Sequence, residues 1–108
     1  DALGGLAVRR QLHSAARAAG VPLVTGAVAG EVGYVGTIHP DGEFPEALWS
    51  GEHGAELELG CLPHAVSAVA SLQAAEAVHV LCGRRSLLQG RLIVLDLADF
   101  SWDVFSLE

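Results

Sequence analysis

Residues 61 to 82, CLPHAVSAVASLQAAEAVHVLC, constrain the fold more than any other stretch of this chain. Pro63 lies near the start and Gly83 just past the end. Proline suits a first helical turn and glycine suits a left-handed stop, so the segment reads as one long helix. Leu62, Val66, Val69, Gln73, Ala77 and Val80 fall on one face, and Ala65, Ala68 and Leu72 make the flank apolar too. A helix apolar on most sides is buried against a sheet or covered by a partner. Gln73, Glu76 and His79 nevertheless step through it. A buried carboxylate has to be paired, so Arg9 or Arg91 is the expected partner of Glu76. Gln73 is expected to reach backbone groups of neighbouring strands or of a partner helix. A general-base role for Glu76 would need a cleft and a substrate that the sequence does not supply. For His79, a partly exposed position is the plain reading.

The rest of the chain arranges itself around that helix. Residues 6 to 19 predict another helix, ended by Gly20 and Val21-Pro22. PLVTGAVAG (22 to 30) and EVGYVGTIHP (31 to 40) predict two strands, the second stopping at a His-Pro-Asp-Gly turn. Residues 41 to 60 read as an acidic, mobile loop with a short turn at PEALW. RLIVLDLADF (91 to 100) and SWDVFSLE (101 to 108) predict an antiparallel hairpin. The order is α-β-β-α-β-β, an α/β fold with a small mixed sheet and no internal repeat.

Charge narrows the function classes. The formal net charge is −7, and the six basic residues are all arginine: Arg9, Arg10, Arg17, Arg84, Arg85 and Arg91. Asp41, Glu43, Glu46, Glu52, Glu56 and Glu58 crowd one segment. Nucleic acid is not an expected partner, because backbone binding needs a basic face. No apolar run reaches the length of a membrane span and no signal-peptide pattern opens the chain, so a soluble, cytoplasmic protein with no membrane partner is expected. The 108 residues suffice for one domain and contain no methionine, and with Asp1 first they are expected to be part of a longer protein. Cys61 and Cys82 are too far apart along one helix to form a disulfide, and Cys61 is expected as a small buried hydrophobe. His39, His53, His64 and Cys61 lack the regular spacing of a metal site. Trp49 and Trp102 are expected to pack, with Trp49 an outside candidate for a loop contact with a partner.

GCLPHAVSAVASLQAAEAVHVLCG resembles the late helix of the ThiF/MoeB/HesA family, relatives of ubiquitin-activating enzymes. DALGGLAVRRQLH resembles the family's D-x-x-D-N-x-x-x-R helix start, PLVTGAV its following strand, and GRLIVLDLADFSWDVFSL its closing strands. The resemblance implies that residues 1 to 108 are the C-terminal part of a Rossmann-like activating-enzyme fold, with the nucleotide-binding part upstream. It implies a parent protein that uses ATP and Mg²⁺ to adenylate the C-terminal glycine of a ubiquitin-like or sulfur-carrier protein, and that forms a homodimer. Arg9 matches a family arginine near the nucleotide pocket and is the cofactor-binding candidate. No catalytic residue and no metal ligand is assigned in this chain.

The departures from the pattern fall at functional positions. Gly4 stands where the family has its nucleotide- and metal-contacting Asp, Gly5 where it has Asn, and Glu56 where a sulfur-accepting cysteine precedes the late helix. Cys61 could take that role only if exposed with a lowered pKa. The positions of one C-x-x-C zinc pair fall near Phe44 and Ala47, and a zinc site of that type is not expected. The chain alone is expected to be inactive. The competing expectation is a degenerate dimerisation or protein-binding module without chemistry.

Overall fold

The structure is a computed structural model describing residues 1–42, 56–84, 86 and 88–106. Helix α1 spans Leu6–Ala19. It ends on Gly20 at φ 68°, whose left-handed conformation returns backbone N–H groups to Ala16 O and Arg17 O, the conformation that glycine adopts without a Cβ penalty. Strands β1 (Leu23–Ala29) and β2 (Val32–Ile38) form a hairpin. Gly30 at φ 61° opens its two-residue turn, where a primed turn calls for glycine. A one-turn helix α2 covers Glu56–Leu59, and α3 runs from Pro63 to Leu81. Strands β3 (Arg91–Asp96) and β4 (Ser101–Ser106) complete the chain. Within their tight turn, Asp96 Oδ1 accepts from Ala98 N and Asp99 Oδ1 from Ser101 N, each at 2.9 Å. The Ser101 hydroxyl and amide hold the Asp99 carboxyl below its usual range.

The α/β fold and the order of its main elements agree with the sequence reading, with two corrections. The four strands pair in the order β1-β2-β3-β4, antiparallel throughout, rather than as a mixed sheet. Parallel pairing is confined to the single bridges Gly30–Cys61 and Thr37–Gln89. Two of the three strand pairs are joined by turns too short for anything but antiparallel neighbours. The second correction is α2, which places a helical turn inside the stretch read as loop. The mobile loop and the PEALW turn otherwise fall on residues 43–55, outside the described residues, as does Trp49.

The register divides the sheet into two faces. Leu23, Ile38 and Tyr34 share one face and pack with Leu6, Leu12 and Ala16 of α1. Val35, Ile93 and Leu95 share the other and pack with Val69, Ala68 and Leu72 of α3. Burying a side chain such as Val35 or Leu95 contributes about 2 kcal/mol. Glycine sets how closely α3 approaches. A Cβ at Gly33 would collide with Val69 Cγ2, and one at Gly26 would lie 2.7 Å from Gln73 Cδ.

The sheet-facing stripe of α3 differs from the face read in the sequence. Ala65, Val69 and Glu76 are buried, while Leu62 and Val66 are exposed. Small and polar residues fit where helix and strands close tightly, and the larger aliphatics are displaced outward. Trp102, expected to pack, is 52% exposed on β4, which no described helix crosses. None of the described helices is long and apolar enough to cross a membrane.

Candidate functional site

The N-terminal segment, α1, β1 and α3 meet at Asp1. The Asp1 side chain is 1% exposed, and its Oδ2 accepts from Arg9 Nη1 and from Thr25 Oγ1, each at 3.0 Å. Its Oδ1 accepts from Leu3 N at 2.9 Å. Arg9 lies on the inner face of α1, and its Nη1 also donates to Gly26 O on β1 at 3.1 Å. Gln73 donates from Nε2 to the Asp1 carbonyl at 2.7 Å, joining residues 72 apart. One carboxylate and one carbonyl thus tie three elements together. The strand supplies the Thr25 hydroxyl donor and an open carbonyl, the helices supply the Arg9 and Gln73 donors, and Gly26 leaves room for the Gln73 amide.

A second buried carboxylate lies one turn further along α3. Glu76 Oε1 accepts from Thr37 Oγ1 on β2 at 2.8 Å and from Ser86 Oγ in the connection to β3. Hydroxyls therefore satisfy Glu76, in place of the arginines expected from sequence. Arg9 is held by Asp1 and β1, and Arg91 opens β3 with an exposed side chain. Threonine and serine were missed because a charged partner is the first expectation for a buried acid. The signal that finds them is the polar Thr37 in an otherwise apolar strand.

The remaining sequence candidates do not converge. Gly4 is exposed, and Glu56 starts the α2 turn. Cys61 and Cys82 are free thiols, both exposed, which corrects the buried reading of Cys61. Cys61 sits before α3, bridged to Gly30, where the chain crosses the rim of the β1–β2 turn, with Sγ 3.6 Å from Val28 O. His64 pairs with Glu31 at 2.8 Å and His39 with Asp41 at 3.7 Å, both at the surface. His13 is buried in α1. Burial, and secondarily the Arg17 charge, push its imidazole below the usual range, with a backbone hydrogen bond at Gly42 opposing.

A magnesium ion needs several oxygen donors facing one open space. Asp1 is buried and already receives three hydrogen bonds, position 4 carries no side chain, and no group of three His, Cys, Asp or Glu among the described residues could hold a metal. The described residues therefore do not fit a magnesium or metal-nucleotide site, and Arg9, the cofactor-binding candidate, turns inward to Asp1. They build a brace.

Comparison with known proteins gives this brace its context. The ThiF family profile matches residues 1–108. The SAMP-activating enzyme E1 of Haloferax volcanii is 32% identical over 108 residues, covering 95% of this chain and 40% of that protein. The molybdopterin-synthase adenylyltransferase of Escherichia coli K12 is 33% identical over 101 residues, covering 89% and 41%. The chain thus spans about two fifths of the length of these relatives. Among solved structures, that of selenomethionine PaaA superposes with a TM-score of 0.71 at 18% identity, over 95% of this chain and 40% of that one. It supports the fold.

Proposed function

The chain belongs to the ThiF family, and from that premise we propose that a longer protein carrying it adenylates the C-terminal glycine of a ubiquitin-like or sulfur-carrier protein. In that reaction a carboxylate oxygen attacks the α-phosphorus of ATP, pyrophosphate leaves, and the resulting acyl-phosphate anhydride is electrophilic at carbon. Residues 1 to 108 form the C-terminal part, and the nucleotide-binding part lies upstream. The chain's own role is to brace: it fixes the segment 1 to 5, α1 and α3 on one sheet. The observation that carries this reading is the hydrogen bond from Gln73 to the Asp1 carbonyl, which joins the two segments through which the chain resembles its family. The names of two relatives, an activating enzyme and an adenylyltransferase, supply the class of reaction.

The reading includes a homodimer, since Val78, Leu81, Trp102 and Phe105 leave apolar surface on α3 and β4 uncovered, and a cytoplasmic setting. Carrier-dependent ATP–pyrophosphate exchange by the longer protein tests it. Exchange that requires the carrier's terminal glycine is the expected result, with none from the isolated 108-residue chain. One observation favours a second reading, a non-catalytic dimerisation or protein-binding module: position 4 has no side chain to offer a nucleotide or its metal. Absence of exchange and of ATP binding by the longer protein selects that module.

A further inference from the structure

The one local tie shown in the segment that leads into α1, from Leu3 N to Asp1 Oδ1, runs to Asp1 itself. Ala2, Leu3 and Gly4 are exposed, and α1 starts after Gly5 at φ 86° with no side-chain hydrogen bond capping its first amides. What places the segment is Asp1, gripped from α1 by Arg9, from β1 by Thr25 and from α3 by Gln73. A buried ion pair is a poor source of net stability, because both charges lose water, and apolar side chains of equal volume often serve as well. Its best-attested use is to fix register. Gln73 fits that use, because its amide crosses the space left by Gly26 to one main-chain carbonyl.

We propose that Arg9 and Gln73 are positioning residues, which lock the Asp1–Gly5 segment and the start of α1 through their shared hold on Asp1, and that Arg9 does not contact the nucleotide. The inference departs from what the family resemblance implies for Arg9. Its activity readout rests on the adenylation reading, and its structural readout does not.

The test uses the longer protein, with Gln73→Met, Arg9→Met and Arg9→Lys compared by backbone amide hydrogen exchange and by ATP–pyrophosphate exchange. Gln73→Met keeps the side-chain volume and removes the donor, so it stays informative if Arg9→Met fails to fold. Both methionine variants are expected to speed amide exchange across residues 2 to 6, and in Gln73→Met β2 and β3 are expected to stay protected as before. Both are expected to lower the pyrophosphate-exchange rate by a similar factor of about ten to a hundred, the size of loss that a misplaced segment causes. Arg9→Lys keeps a cation for Asp1 and is expected to restore most of the protection. Weakened ATP binding in Arg9→Met with the segment still protected would assign Arg9 to the ligand and overturn the proposal. Unchanged protection in Gln73→Met would overturn it as well. If the wild-type protein shows no pyrophosphate exchange, the adenylation reading fails while amide exchange still decides the lock.

Discussion

The β1–β2 hairpin and the edge strand β4 both carry apolar residues and meet opposite fates. On the β1–β2 half, α1 and α3 close over both faces, and Thr25, Val35 and Thr37 are almost wholly buried. On β4, Trp102, Val104 and Phe105 are each more than half exposed, although Trp102 pairs across the strands with Leu95, which is 2% exposed. The difference lies in what the residues permit. Gly26 and Gly33 let a helix approach to backbone distance, and the threonines offer hydroxyls to the charged groups trapped beneath it. β4 has neither feature, and among the described residues its aromatic side chains stay exposed.

Breaking the covered half should cost far more than altering the open one. Arg9→Met leaves the Asp1 carboxylate buried without its cation and is expected to lower stability by about 3–5 kcal/mol in denaturant unfolding. Next comes Gly33→Ala, whose new methyl meets Val69. Overpacking of that kind costs about 1–3 kcal/mol, and a paired Val69→Ala should recover part of it. Thr37→Val removes a donor from Glu76, with an expected loss of about 1–2 kcal/mol. Trp102→Ser, on the open strand, should stay within about 0.5 kcal/mol in the monomer. A large loss that grows with dilution would place Trp102 in a subunit interface.

The covered half also carries a pH dependence. His13 has a folded pKa below its unfolded value of about 6.5, so the unfolded chain takes up the proton first. Its contribution is present above the unfolded pKa and is lost as pH falls from there toward the folded value. His13→Gln should flatten the unfolding free energy across that window, as read from urea titrations at stepped pH.

Much of the architecture is legible in the sequence. Proline and glycine mark the ends of α3, Gly20 ends α1, and an apolar run followed by loose alternation over residues 22 to 40 gives the first two strands. Strand direction was less accessible, because it depends on how α3 crosses the sheet between β2 and β3. The buried face of α3 was misread for a related reason. Periodicity selects Val69 correctly but also the exposed Leu62 and Val66, whereas the close approach to the strands buries Ala65 and Glu76 beside Val69. At the site, the sequence singles out Arg9 but does not give its direction. The sequence places Arg9 on a helix, but only the fold shows that Asp1, Thr25 and Gly26 lie beneath it.

The central claim is that residues 1 to 108 brace a nucleotide site rather than line it. Photolabelling of the longer protein with 8-azido-ATP, followed by peptide mapping, tests this most directly. The account predicts label on peptides outside residues 1 to 108, competed by ATP. Label concentrated in the peptide from Asp1 to Ala19 would contradict it.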